Sequence, residues 1–204
     1  MRPPRKSKQV QEQLTKVLKE MFGDTSVNSE RPARQDATDT FRDFRTYAPV
    51  SDIVVGPYNL TREGRRADVK RIKCASRHWL ISEITKVCQN QNGFFNENPN
   101  PRCLLAIEIE FSGPAKYILG DLMNASMMGL VGVVIGKLEN FQKIERVRKY
   151  AQKLREVGKA DPTLFTNVAC FTAEDFTALL EATHGRDADG QARRYCADVE
   201  SRRN

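Results

Sequence analysis

The segment from Leu104 to Gly136 constrains the fold more than any other part of the chain. It opens on Leu-Leu-Ala-Ile-Glu-Ile-Glu-Phe, an apolar, β-rich run bounded by Pro101 upstream and Ser112-Gly113-Pro114 downstream. It closes on Leu-Val-Gly-Val-Val-Ile-Gly, Leu130 to Gly136, an uninterrupted apolar run suited to a fully buried strand. Between them lies a stretch of helical length. Pro114 suits its first turn, where a missing N–H costs nothing. Ile118, Leu119, Leu122, Met123 and Met128 ring the segment almost completely, so a buried helix is expected. Strand, helix, strand in this order argues for a parallel crossover and an α/β layer architecture.

Two carboxylates interrupt the first strand. Side chains alternate along a strand, so Glu108 and Glu110 share one face while Ile107, Ile109 and Phe111 share the other. Adjacent carboxylates on so apolar a strand repel each other and resist burial. A divalent cation offsets both costs, and Mg²⁺ prefers carboxylate oxygens. The competing reading of Glu-x-Glu is the solvated face of an edge strand.

At 204 residues, with 40% hydrophobic side chains, the chain is long enough for a real core and is read as a single domain over 1–204. A net charge of +7 permits an anionic partner. The five cysteines (Cys74, Cys88, Cys103, Cys170, Cys196) are odd in number, form no Cys-x-x-Cys and do not cluster with His78 or His184. That pattern argues against a disulfide framework or a zinc site, and several of these residues, set among apolar neighbours, read as core. The basic N-terminus lacks an apolar core of the secretory kind, and no apolar run is long enough to span a bilayer. A soluble cytoplasmic protein with no membrane partner is the default expectation.

Residues 1–8 read as a flexible basic arm. A helix is expected from about Gln9 to Phe22, with Val10, Leu14, Val17, Leu18, Met21 and Phe22 as its stripe and Gly23 as its stop. Asp24 to Asp43 is polar with little periodicity and reads as a long loop. Ile53-Val54-Val55 forms a short strand core with Asp52 at its entrance and Gly56-Pro57 at its end. The basic strip that follows holds Arg62, Arg65, Arg66, Lys70, Arg71 and Lys73 against only Glu63 and Asp68. It reads either as a solvated loop or edge hairpin, or as a phosphate-contacting surface. Arg77 to Asn90 reads as a helix capped by Ser76, with Trp79 packed beside it. Asn140 is a candidate cap for a helix whose outer face is basic (Lys143, Arg146, Lys149, Lys153, Arg155). A last strand near Asn167 to Phe171 leads into a helix with Thr172 and Asp175 spaced close to a capping box. The tail over 186–204 is charged, short of apolar residues and expected to be poorly ordered.

Asp52 at one strand, and Glu108 with Glu110 on a central strand followed by a buried helix and a second apolar strand, resembles the PD-(D/E)xK nuclease superfamily, which includes restriction endonucleases. Ser51-Asp52 matches the Pro-Asp element and Glu108-Ile109-Glu110 the (Asp/Glu)-x-Lys element, over roughly Pro49 to Gly136. Ser51 replaces the Pro. Glu110 replaces the Lys, removing a group expected to position or activate water; some restriction enzymes carry Glu-x-Glu. The resemblance implies a restriction endonuclease-like core, with a mixed central sheet of at least four strands and helices on both sides. It implies a Mg²⁺-dependent DNA endonuclease, with Mn²⁺ as a substitute and Asp52, Glu108 and Glu110 as ligands. Lys116, opening the following helix, is a candidate for the displaced Lys; its alternative reading is a solvated first-turn residue. Asn124 and Ser126 are polar residues on that helix whose partners are each other or the backbone. The strip from Arg62 to Lys73 is the candidate phosphate contact. A homodimer rests on the resemblance alone, and RNA stays open as the alternative polyanion. A nuclease-like fold without catalysis, serving as a DNA-binding or complex-forming module, is the competing function.

Overall fold

A computed structural model describes residues 6–32, 50–59 and 65–184. They form α1 (Lys6–Phe22), β1 (Val27–Pro32), β2 (Val50–Val55), α2 (Arg65–Ala75), α3 (Trp79–Asn92), β3 (Cys103–Glu110), α4 (Ala115–Met128), β4 (Gly129–Gly136), α5 (Leu138–Glu156), β5 (Val168–Thr172) and α6 (Ala173–His184). The five strands make one mixed sheet in the order β1-β2-β3-β4-β5. β1 pairs antiparallel with β2 and β2 antiparallel with β3. β3, β4 and β5 run parallel, so α4 is the crossover expected between Leu104 and Gly136.

Each face of the sheet has its own layer. Ile53, Val55, Leu105, Ile107, Val133 and Ile135 meet Leu14 and Leu18 of α1, Ile72 of α2, Leu80 and Ile84 of α3, and Phe176 and Leu180 of α6. On the other face Val134, Val168 and Cys170 meet Ile118, Leu122 and Ala125 of α4 and Ile144 and Ala151 of α5. Helices therefore cover both sides. No helix among the described residues is long and apolar enough to cross a membrane.

Several expectations are corrected. The polar stretch after Gly23 contains β1: Val27-Asn28-Ser29-Glu30-Arg31-Pro32 has little apolar alternation, and its strand form comes from pairing with β2, Val27 opposite Val55 through Pro32 opposite Val50. The basic strip is a helix from Arg65 onward, not a loop or hairpin; buried Ile72 and Ala75, three residues apart, anchor it. α3 begins at Trp79, and His78 caps it instead of Ser76: its Nδ1 accepts from Leu80 N at 3.1 Å. Trp79 is 40% exposed, with Lys86 Nζ 5.7 Å from its ring centroid. α4 is buried on one side only, with Leu119, Met123 and Met127 exposed. α5 starts three residues early, and Asn140 caps nothing; its Nδ2 donates to Phe111 O at 2.7 Å. Lys6 to Lys8, placed in the basic arm, belong to α1. Residues 1–5 and 185–204, with the proposed tail and Cys196, lie outside the described residues.

Other expectations hold. Thr172 Oγ1 accepts from Asp175 N at 3.0 Å and donates to Asp175 Oδ2 at 2.7 Å, so the cap of α6 forms as read. Cys88, Cys103 and Cys170 are buried, and Cys74 is exposed. Burial pushes the Cys170 thiol up to about 12, which keeps it a neutral core group.

Candidate metal centre

The carboxylates gather on the face covered by α4 and α5. β3 is the middle strand of five, which removes the edge-strand reading of Glu-x-Glu. The β2–β3 ladder runs from Val55↔Leu105 to Ile53↔Ile107. One further step in this register sets Asp52 opposite Glu108. There the Asp52 carboxylate takes over from the backbone: Oδ2 accepts from Ile109 N at 2.7 Å. Gln11 of α1 holds the same residue from behind, Nε2 donating to Asp52 O at 2.7 Å.

Glu108 is 4% exposed. Burial above all, then the charges of Asp52 and Asp121, push its carboxyl up from 4.5 to about 9. Ser51 and the Asp52 backbone lean the other way, but Glu108 Oε1 has no partner within hydrogen-bonding geometry among the described residues. A buried oxygen without a donor is costly.

Glu110 ends β3 and folds back over the turn. Its Oε1 accepts from Ser112 N at 2.7 Å and from Gly113 N. Gly113 makes room for this: a Cβ there would stand 2.4 Å from Glu110 Oε2.

The sequence reading missed Asp121. It lies on α4 between Ile118 and Ala125, half-buried at the margin of the buried stripe, and hydrogen-bonds to Glu110. Burial first, then the charges of Glu110 and Asp52, push it up from 3.8 to about 7. Its signal was legible in principle: an acid three residues after Ile118 and four before Ala125 interrupts an apolar helix face. Gly132 sets the height of α4 over the sheet, because a Cβ there would meet the Ala125 backbone at 2.8 Å.

Lys116 does not turn back to the carboxylates. It is exposed, with Nζ 5.1 Å from the Tyr117 ring centroid. Lys137, at the start of α5, lies 5.4 Å from the Phe111 ring centroid and 3.4 Å from Glu139 Oε1.

The donors fit a hard divalent ion in kind: four carboxylates, one with an orphaned buried oxygen, and mutual repulsion that a cation relieves. The expected convergence of Asp52, Glu108 and Glu110 is not preformed. Among the described residues no three His, Cys, Asp or Glu side chains make a ready metal set, and Asp52 and Glu110 are turned onto backbone amides.

The basic strip packs on the opposite face of the sheet, since Ile72 of α2 joins the other core layer. Arg66 and Lys70 are exposed. Arg71 pairs with Asp68 at 3.2 Å, and Lys73 pairs with Glu97. Arg62 and the Arg65 side chain lie outside the described residues. On α5, in the same layer as the carboxylates, Lys143, Arg146 and Lys149 are exposed.

No protein-family model, curated protein or solved structure matches the chain.

Proposed function

We propose that the protein is a Mg²⁺-dependent DNA endonuclease with a restriction endonuclease-like core, in which Asp52, Glu108 and Glu110 hold the ion. The observation that carries this reading is Glu108: a carboxylate on the central strand, 4% exposed, its Oε1 unpartnered, flanked by acids. The order of elements supports it, because the Asp52 strand is the direct neighbour of the Glu-x-Glu strand and a crossover helix leads to an apolar parallel strand.

When bound, the ion supplies shielding of phosphate charge and acidification of water. The chain's own residues do the rest. The Ile109 amide orients Asp52, and the Ser112 and Gly113 amides orient Glu110. Glu110, at the partly open end of β3, completes the ligand set or accepts a proton from the attacking water. Val134, facing Glu108 across the β3–β4 pair, walls the site against bulk water. Exposed lysines and arginines of α5 and α2 contact the phosphates of the nucleic acid.

A plasmid-cleavage assay with Mg²⁺ or Mn²⁺ tests the reading. Wild type is expected to nick or linearise DNA, with Asp52→Ala and Glu108→Gln each lowering the rate by about 10²-fold or more, as expected when a ligand to the catalytic ion is lost. Equal cleavage by wild type and both variants would point to a contaminant and sink the assignment. One observation favours the second reading, a DNA-binding module without catalysis: Glu110 stands where the family has Lys, and Lys116 lies on Tyr117. Metal binding and DNA binding without cleavage would establish it.

A further inference from the structure

We propose that Asp121 is a fourth carboxylate ligand of the cation centre, supplied by the helix layer to a set otherwise built on the sheet. The inference rests on the metal-centre reading above and deepens it. Asp121 is half-buried beside the stripe that Ile118, Leu122 and Ala125 fill with apolar groups, on the side of α4 turned to the sheet-borne carboxylates. An acid there requires a partner, and the groups around it are acids. It hydrogen-bonds to Glu110 and feels the charge of Asp52, and its own charge reaches Glu108. The lysine nearest in sequence, Lys116, is turned to Tyr117. An ordinary ion-pair role is therefore not what places the residue.

The approach of α4 to the sheet is fixed. Gly132 lets the Ala125 backbone rest on β4, and Asp121 is one helical turn back from that contact. The helix therefore carries Asp121 over the sheet-borne carboxylates without flexible loops between. Glu110 is anchored through Oε1 to two turn amides, and Glu108 Oε1 is buried without a hydrogen-bond partner among the described residues. Four carboxylates on three elements, one with a buried and unsatisfied oxygen, are not gathered into a ready set, but they are the donors that a hard cation would draw together and whose mutual repulsion it would relieve.

The test is Mn²⁺ binding by the purified full chain near pH 7.5, followed by calorimetry and by the electron paramagnetic resonance signal of free Mn²⁺, with no DNA present. Wild type is expected to bind, and Glu108→Gln to lose binding. Asp121→Asn is expected to weaken affinity at least tenfold while its metal-free melting temperature equals or exceeds that of wild type. Asp121→Ser, a second variant, should do the same. Glu174→Gln, which removes an exposed acid on α6, should leave affinity unchanged and so exclude a bulk-charge effect. Binding lost in Glu108→Gln but unchanged or tighter in Asp121→Asn would overturn the role of Asp121 and leave the metal centre standing. No Mn²⁺ binding by wild type in either measurement would overturn both.

Discussion

The two faces of the central sheet solve burial in opposite ways. On one, Ile53, Val55, Leu105, Ile107, Val133 and Ile135 meet four helices, and every contact contributes through apolar area removed from water. On the other, Val54, Ala106 and Val134 share the surface with Asp52, Glu108 and Glu110, while α4 lowers Asp121 onto them. Glu108 and Ile107 are adjacent on one strand and almost equally buried, 4% and 0% exposed. Sheet alternation alone assigns one to the core and the other to the carboxylate cluster. The first face holds the fold together. The second takes on electrostatic strain that nothing in the apolar core requires, and such strain concentrates at functional sites.

The comparison breaks most sharply on stability. Ile107→Ala should destabilise the protein by about 2–5 kcal/mol, because it leaves a cavity between the sheet and the helices packed on that face. Its neighbour should respond the other way. Replacing Glu108 with Gln, which has no proton to take up on folding, should leave metal-free stability near neutral pH equal or higher. Urea unfolding of both variants in EDTA checks this. A loss at Glu108→Gln comparable to that at Ile107→Ala would mean that the carboxylate is a structural group satisfied in the metal-free fold.

The pH dependence sharpens the same contrast. The Glu108 carboxyl lies near 9 in the folded protein against an ordinary 4.5, with Asp52 on β2, Glu110 on β3 and Asp121 on α4 as the acids gathered around it. Between those values the native state holds a proton that the unfolded state has lost. The associated stability is therefore fully present below about pH 4.5 and is lost as pH rises through about 9. The slope from this group is at most about −1.4 kcal/mol per pH unit. Metal-free wild type should lose about 1 to 3 kcal/mol relative to Glu108→Gln between pH 5 and pH 9, allowing for relaxation of the site. Asp121 adds a smaller loss of the same sign between about 4 and 7. Saturating Mn²⁺ should reverse the trend, because ligands bind ionised. Parallel pH curves for wild type and Glu108→Gln would show that the buried carboxylate is not raised.

Much of this was legible in the sequence, and the failures have physical causes. Leu104 to Gly136 announced strand, helix and strand because apolar runs of that length have few other solutions, and Glu108 and Glu110 fell on one face by alternation alone. β1 was invisible because its strand form comes from a neighbour: Val27 and Asn28 become a strand by pairing with Val55 and Val54. α2 was hidden because Arg66, Lys70 and Lys73 swamp the short stripe of Ile72 and Ala75. Asp121 was overlooked for a different reason. Its spacing from Ile118 and Ala125 set it beside the apolar face, but with Leu119 and Met123 apolar as well, the facing of the helix was fixed only by the packing of Ala125 on Gly132. Contacts between layers are tertiary facts, and local pattern does not contain them.

The smallest expected effect separates the two basic surfaces. α2 and α5 both expose lysine or arginine, but they sit on opposite faces of the sheet. α5 is tied to the carboxylate end of β3, since Asn140 Nδ2 reaches the carbonyl of Phe111, the residue after Glu110. Lys143 follows three residues later and Lys149 six residues beyond that, so α5 presents its exposed cations on the same side of the sheet as the carboxylates, and α2 on the other. Two of the α2 charges, Arg71 and Lys73, are already paired with Asp68 and Glu97. Each phosphate neutralised on duplex DNA contributes about −0.9 to the slope of log affinity against log salt. Replacing Lys143 and Lys149 together by Ala should therefore flatten the slope by up to about 2. Replacing Arg66 and Lys70 together should flatten it by less. Neither pair should change Mn²⁺ affinity or preference among sequences, because neither belongs to the carboxylate set or is assigned a base contact. Equal flattening by the two pairs would mean that DNA wraps past the sheet edge to reach both layers. Flattening by the α2 pair alone would place the duplex on the apolar-core side, away from Glu108, and the carboxylate cluster would then need a function other than cleavage of that DNA.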